Sequence, residues 1–206
     1  FKSNTYKLKA HNYKTSGFLS LLGIGFLIFL SSCFGSDADI QFRSIDLNLS
    51  QPAADTIDID GDGNADLLFR LYDEIDTSGT NINTIDVVGL NGTQILSTVQ
   101  IISIPGTPLA FPFYSPSRLN FGSPIDASQS LYVDTSFITA QGNLSGIPVE
   151  ENKWIDSNAY FGFSIQVDGQ THYGWFMMAA QNYFELRLVG YAWDTTPNEG
   201  IFAGIR

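Results

Sequence analysis

Short segments of alternating apolar and polar residues constrain the fold of this chain more than any other feature of its sequence. Beyond Ile40 such segments recur about every 10–15 residues, with turn-forming residues between them. An alternation with a period of two is typical of a strand with one buried face, and this part of the chain shows no convincing helical periodicity. The sequence therefore predicts an all-β fold: a single antiparallel β-sandwich of the jelly-roll or lectin-like kind.

The C-terminal third has the most regular alternation. Tyr160 to Val167 places four apolar side chains on one face, and Asp168-Gly169 predicts a turn into a returning strand, residues 171–180. A further strand is predicted from Tyr183 to Trp193. The four side chains that share a face are Phe161, Phe163, Ile165 and Val167.

The middle of the chain contains one strong turn signal and one long irregular stretch. Asn91-Gly92 lies between two alternating segments, which predicts a hairpin with a two-residue turn. Pro105 to Pro124 is rich in Pro, Phe, Ser and Gly, which predicts a long connection. Its aromatic residues are expected to pack onto the sandwich. They are Phe111, Phe113, Tyr114 and Phe121.

An acidic loop spans residues 58–66, with the sequence DIDGDGNAD. Carboxylates stand at relative positions 1, 3, 5 and 9 and a glycine at position 6, and nothing basic lies nearby in the sequence. Calcium takes six to eight oxygen ligands, and glycine permits the sharp turn that directs several side chains inward. The alternative is a solvated acidic turn, because Asp and Gly are both turn formers. We predict a Ca²⁺ site with direct ligands from Asp58, Asp60 and Asp62, the backbone carbonyl of Asn64, and Asp66 binding directly or through water.

The flanks of the acidic loop indicate strands and not helices. A calmodulin-like loop needs a glutamate at position 12, where this chain has Phe69, and it needs a helix on each side. Residues 56–59 alternate and residues 67–72 are mostly apolar, as in strands. We therefore expect the site to lie in a strand-to-strand connection. The motif occurs once, which argues against repeat arrays.

Residues 1–33 have the pattern of a lipoprotein export signal. Four lysines and no acid accompany an apolar run from Phe18 to Leu30, about 13 residues where a membrane span needs roughly 20. The run ends in Leu-Ser-Ser-Cys, which resembles the bacterial lipobox, and Cys33 is the only cysteine. This predicts a lipid anchor on Cys33 and a location in the outer membrane or at the cell surface.

Residues 34–50 are predicted to be a tether that contains a first strand, Ile40 to Leu49, ahead of the sandwich domain, residues 51–206. Asp37 and Asp39 follow the cysteine closely and resemble the surface-export signal of some Bacteroidota lipoproteins. A solvated linker is an equal alternative.

The chain after Cys33 is strongly acidic. It contains six Lys and Arg and 21 Asp and Glu, a formal charge of −15. This charge repels nucleic-acid phosphates and argues against nucleic acid as a partner.

Four aromatic-glycine motifs follow one another in the C-terminal region: YFGF from Tyr160, HYGW from His172, GYAW from Gly190 and IFAG from Ile201. Together with the acidic loop, this order resembles a family of bacterial secreted β-sandwich domains of the "choice-of-anchor" type, many of which carry sorting anchors of the PEP-CTERM kind. The resemblance implies the fold and almost nothing about activity. This chain differs in having a lipobox and in having Trp193 where a second tyrosine is common.

The sequence offers little for catalysis. His172 is the only histidine after the export segment, and no cysteine or second histidine remains for a triad. Glu150, Glu151 and Glu185 are candidate acids for glycoside hydrolysis, but their spacing is that of ordinary surface acids. The sequence therefore predicts a protein that is not an enzyme.

Aromatic residues of the same region are candidates for ligand contact. Tyr173, Trp175 and Tyr191 would stack on a sugar if they shared an exposed face, although sandwich cores use such residues routinely. We predict a lipid-anchored envelope protein with a calcium-stabilised sandwich that serves binding, adhesion or structure, with a glycan or protein as ligand. The alternatives are a carbohydrate-binding module of a glycan-uptake system and, less favoured, a glycoside hydrolase.

Overall fold

The structure, a computed structural model, describes residues 39–50, 52–75, 81–103, 110–144 and 147–206. The predicted export signal, Cys33 and Asp37 lie outside these ranges. Every pairing between strands in the described part is antiparallel, and these residues form no α-helix, which confirms the predicted all-β sandwich. No helix among the described residues is long and apolar enough to cross a membrane.

Fourteen strands form in the described part, at the positions where alternation and turn residues predict most of them. They are β1 (Ile40–Ser50), β2 (Ala53–Ile57), β3 (Leu67–Ile75), β4 (Asn81–Gly89), β5 (Gln94–Ser103), β6 (Ala110–Pro116), β7 (Pro124–Ile125), β8 (Tyr132–Val133), β9 (Thr135–Leu144), β10 (Ile147–Glu151), β11 (Ala159–Val167), β12 (Gln170–Asn182), β13 (Glu185–Asp194) and β14 (Ile201–Phe202).

Two sheets carry the sandwich. Sheet A has seven strands in the order β1-β13-β12-β11-β5-β6, with β8 also paired to β5. Sheet B has five strands in the order β10-β9-β4-β3-β2. Strands β7 and β14 pair with each other and form a small separate ribbon, here called the cap ribbon. The predicted first strand is thus the edge strand of sheet A and pairs with β13.

The main core lies between the two sheets. The inward-facing side chains of both sheets that form this core are apolar and recur at every second position, as the period of two requires. A row of stacked rings crosses three neighbouring strands of sheet A, with centroids 5.6 Å apart for Phe161 and Phe176 and 5.4 Å apart for Phe176 and Tyr191. Burying each ring contributes about 1.5–3 kcal/mol to folding.

A second core lies on the opposite face of sheet A, beneath the cap ribbon. Ile125 and Ile201 of the ribbon pack there with Tyr173 and Trp175 of β12. The Trp175 indole Nε1 donates a hydrogen bond to the Ile205 carbonyl at 2.9 Å, which fastens the C-terminal residues over this face. Sheet A is therefore covered on both faces along this part of β12.

The predicted C-terminal hairpin is confirmed. Strands β11 and β12 pair from Val167 and Gln170 outward, so that Asp168-Gly169 is a two-residue turn. Both turn residues have positive φ, 52° for Asp168 and 74° for Gly169, which is the type I′ geometry that suits the twist of a hairpin.

The hairpin predicted at Asn91-Gly92 is wrong in one respect. The turn is present, with φ of 51° and 86° and with the Thr93 amide donating to the Leu90 carbonyl at 2.8 Å. The flanking strands do not pair, however, because β4 already has β3 and β9 as neighbours and has no free edge. The turn instead carries the chain from sheet B to sheet A.

The long connection predicted from Pro105 to Pro124 is also corrected. Its middle is strand β6, which pairs with β5. Phe113 stacks on Phe137 of sheet B with centroids 4.8 Å apart, as expected of a packed aromatic residue, whereas Phe121 is 69% exposed. Strand β6 is the last strand of its sheet, and edge strands tolerate proline where the missing amide would face away from the neighbouring strand.

Candidate metal site

The acidic loop, residues 58–66, joins two neighbouring antiparallel strands of sheet B. Strand β2 ends at Ile57, β3 begins at Leu67, and these two residues are paired, which confirms the expected strand-to-strand connection. Ile59 is fully buried in the main core and anchors the loop between its first two carboxylates. The Asp66 amide closes the loop by donating to the Ile57 carbonyl at 2.8 Å.

Three of the predicted ligands converge. One carboxylate oxygen from each of Asp58, Asp60 and Asp66 lies within 4.8 Å of the other two. Two oxygens that each lie 2.3–2.6 Å from one calcium ion are at most about 5 Å apart, so this spacing fits a shared cation. The donor set is all oxygen, as hard cations prefer.

Backbone amides inside the loop orient these carboxylates. Asp58 accepts hydrogen bonds from the amides of Gly61 at 2.7 Å and Gly63 at 3.0 Å, and Asp60 accepts one from Asp62 at 3.0 Å. Gly61 and Gly63 have φ of 84° and 92°, which a residue with a Cβ rarely adopts. The glycine at position 6 therefore has the conformational role that the motif predicts.

Asp62 lies outside the converging group. It is exposed, and its carboxylate accepts hydrogen bonds from the Asn64 backbone amide at 2.7 Å and from the Asn64 side-chain Nδ2 at 2.9 Å. These bonds favour the ionised form and lower the pKa of Asp62. The Asn64 side chain is thus engaged with Asp62 and is not turned to the other three acids.

Asp66 is the buried member of the group, with 6% of its surface exposed. Its Oδ2 accepts a hydrogen bond from the Ile59 amide at 2.7 Å. Burial raises the pKa of Asp66, and the charges of Asp60 and Asp58 act in the same direction, while the amides of Ile59 and Asp60 oppose them. A cation beside this carboxylate would offset both the burial and the repulsion.

Two elements distant in sequence also contact the loop. The Asn91 side chain donates to the Ala65 carbonyl at 2.9 Å, and the Leu90 amide donates to the Asp66 carbonyl at 2.8 Å. Arg43 of β1 lies beside Gly61: a Cβ on that glycine would be 3.4 Å from a guanidinium nitrogen. The loop therefore has a basic neighbour in the fold, supplied by a strand that begins 18 positions before Asp58 in the sequence.

The three candidate ligand-contact aromatics are buried. Tyr173, Trp175 and Tyr191 expose 6%, 1% and 2% of their surfaces. Tyr173 and Trp175 face the cap ribbon, whereas Tyr191 faces the main core on the other side of sheet A. They do not form an exposed row on one face, so they have the core role that was the alternative to sugar stacking.

His172 and the candidate acids have structural partners. His172 is buried, its Nδ1 is 3.0 Å from the Asp194 carbonyl, and its ring meets Trp193 edge-on. Glu151 is buried and accepts hydrogen bonds from Gln100 Nε2 at 2.8 Å and from the Lys153 amide at 3.0 Å.

The two other candidate acids also accept hydrogen bonds from neighbouring side chains. Glu150 accepts them from Asn152 Nδ2 at 2.9 Å and from the Tyr183 hydroxyl at 3.2 Å. Glu185 accepts one from Asn182 Nδ2 at 3.1 Å.

Three residues around the loop escape sequence reasoning: Ile59, Arg43 and, in its contact with the loop, Tyr191, whose hydroxyl donates to the Asp58 carbonyl at 3.2 Å. The apolar Ile59 between two acids was a usable signal of an inward-facing position. Arg43 and Tyr191 are 148 positions apart in the sequence, so nothing local marked them as neighbours.

Fold and site together define an all-β sandwich with an acidic inter-strand loop. A scan against protein-family models finds no matching family, and comparisons with curated proteins and with solved structures find no match either.

Proposed function

We propose that this protein is a non-enzymatic, lipid-anchored envelope protein whose β-sandwich is stabilised by calcium and serves binding, adhesion or structure. The observation that carries the proposal is the convergence of Asp58, Asp60 and Asp66 around one point, with Asp66 buried. A lipid on Cys33 would attach the protein to the outer membrane or the cell surface. That part of the proposal rests on the sequence of residues 1–33.

Calcium would act here as a structural ion. Asp58, Asp60 and Asp66 would hold it, and Asp62 and the Asn64 carbonyl are further oxygens of the same loop. A cation bound by the native loop and not by the unfolded chain adds RT ln(1 + [L]/Kd) to stability, about 2.7 kcal/mol at a hundredfold excess over Kd. The ion would lock the β2–β3 connection, which lies against the main core through Ile59.

The test is the melting temperature of the domain from residue 34 onward in calcium, in magnesium and in chelator. Chelation is expected to lower it by several degrees, and magnesium to substitute poorly because it demands a smaller octahedral site. Asp60→Asn should remove most of the calcium response. Asp73→Asn, an exposed acid of the same sheet, is the matched control and should leave the response intact. A melting curve indifferent to chelator would contradict the proposal.

A further inference from the structure

Tyr191 joins sheet A to the acidic loop of sheet B. Its ring is buried in the main core and stacks on Phe176, with centroids 5.4 Å apart. Its hydroxyl reaches past the core and donates a hydrogen bond to the Asp58 carbonyl at 3.2 Å. Because the ring is fixed by packing, the hydroxyl is held at a defined position at the first residue of the loop.

A second residue, Arg43 of β1, is a neighbour of Tyr191. It is paired with Tyr191 in the register of β1 and β13, and while burial raises the pKa of Tyr191, the positive charge of Arg43 opposes that shift. The same guanidinium lies beside Gly61 of the loop. Arg43 is therefore close both to Tyr191, which holds the Asp58 carbonyl, and to Gly61 in the same half of the loop.

Asp58 connects the Tyr191 hydrogen bond to the rest of the turn through its own side chain. Its carboxylate holds the amides of Gly61 and Gly63, whereas the amides of Ile59 and Asn64 are held by Asp66 and by Asp62. Loosening Asp58 would therefore release two specific amides and leave the Asn64 amide of the same loop, which Asp62 holds, unaffected.

We propose that Arg43 and Tyr191 form a latch, two neighbouring positioning residues that hold the first half of the acidic loop against the edge of sheet A, Tyr191 through Asp58 and Arg43 beside Gly61. The latch couples the edge strand β1 to the β2–β3 connection of the other sheet. It goes beyond the proposed function and operates whether or not the loop binds a cation.

The test is residue-resolved amide exchange by NMR, in chelator. Tyr191→Phe removes the hydroxyl and keeps the ring, and it is expected to speed exchange at Gly61 and Gly63 about three- to tenfold, the worth of one net hydrogen bond. The amide of Asn64, which Asp62 holds, should keep its parent rate. Arg43→Gln, a change at an exposed edge position, should have the same effect.

Because both residues contact the same half of the loop, their effects should be coupled, and the double variant should exchange more slowly than the product of the two single effects. Arg187→Gln is the matched control: it removes another exposed arginine of sheet A, paired with Asp46, and should change none of these rates. Parent rates at Gly61 and Gly63 in Tyr191→Phe would overturn the latch. A uniform rise across the whole domain would also overturn it, since that is general destabilisation. Fully additive effects in the double variant would overturn the joint action of the two residues on the loop.

A calcium titration of the parent protein separates this inference from the proposed function. If the parent binds no calcium but Tyr191→Phe releases Gly61 and Gly63 in chelator, the proposed function fails and the latch stands. If the parent binds calcium and the two amides are unaffected by Tyr191→Phe, the latch fails and the proposed function stands.

Discussion

Asp62 and Asp66 have the same side chain in the same loop but contrasting environments. Asp66 is buried next to Asp58 and Asp60, whereas Asp62 is exposed and satisfied by Asn64. Burial and neighbouring charge make a carboxylate costly to leave unpaired, and an exposed carboxylate has water as its partner. The spacing of the motif gives Asp62 and Asp66 equivalent places in the loop, but their different exposure gives them different roles.

This contrast predicts unequal losses of calcium response. Asp66→Asn should abolish the calcium-dependent rise in melting temperature, because it removes the negative charge of the one buried carboxylate in the group. Asp62→Asn should only reduce the rise. The two variants are compared by thermal melts with and without chelator, and the reverse ranking would show that Asp62 is the principal ligand.

A second prediction concerns the ion pair on the outer face of sheet B. Asp86 is fully buried and accepts hydrogen bonds from Arg70 Nε at 3.0 Å and Nη2 at 2.5 Å. Burial raises the pKa of Asp86, and Arg70 opposes that shift. Arg70→Gln would leave a buried carboxylate without its charge partner and should lower the free energy of unfolding by about 3 kcal/mol at pH 7.

The pH dependence of this loss has a definite sign. A carboxyl whose folded pKa is raised binds its proton more tightly in the native state, so stability falls as pH rises from the ordinary carboxyl range through the raised pKa. The deficit of Arg70→Gln should therefore shrink in acid, where Asp86 is protonated. Denaturant unfolding at several pH values measures it. Arg187→Gln, which breaks an exposed pair, should cost under about 1 kcal/mol. An equal loss in the two variants would contradict the argument.

At the scale of elements, two turns of the same conformation make different kinds of connection. Asp168-Gly169 closes a true hairpin within sheet A, whereas Asn91-Gly92 moves the chain between sheets and supports the acidic loop through Asn91. The φ values of the two turns differ little, so local geometry does not distinguish them. The difference lies in which strand edges are already occupied.

The two turn glycines form a matched pair for mutation. Gly169→Ala places a Cβ in open space and should cost only the strain of positive φ, about 1–2 kcal/mol. Gly92→Ala should cost more, because its Cβ would lie 3.1 Å from Cγ of Gln166. Denaturant unfolding of both variants measures the difference, and a smaller loss for Gly92→Ala would show that Gln166 moves away freely.

At the scale of the whole molecule, sheet A is a layer between two apolar environments along part of its length. The main core covers one face, and the cap ribbon covers Tyr173 and Trp175 on the other. This arrangement explains why β12 has a nearly continuous buried run in place of a clean alternation. It also leaves these aromatic side chains inaccessible to a ligand.

The anchoring of the whole molecule is a separate prediction, based on the sequence of residues 1–33. If Cys33 carries the lipid, Cys33→Ser should abolish metabolic lipid labelling and leave unprocessed precursor in the membrane fraction. Cys33→Ala is a second variant with the same expected result. Normal maturation of either variant would contradict the lipoprotein assignment.

The sequence by itself determined the all-β class, most of the strands in the described part, the Asp168-Gly169 hairpin and the position of the acidic loop between strands. Each of these depends on residues close together in the chain, through the period of two and through turn residues that adopt positive φ.

Only the tertiary structure decided which strands pair, which faces are covered and which side chains from distant strands meet the loop. It brought Arg43 to Gly61 and Tyr191 to Asp58, buried the aromatic candidates and placed β4 and β5 in different sheets. The physical reason is that strand pairing and burial are settled by competition among all edges and apolar faces of the chain, and no local pattern encodes that competition.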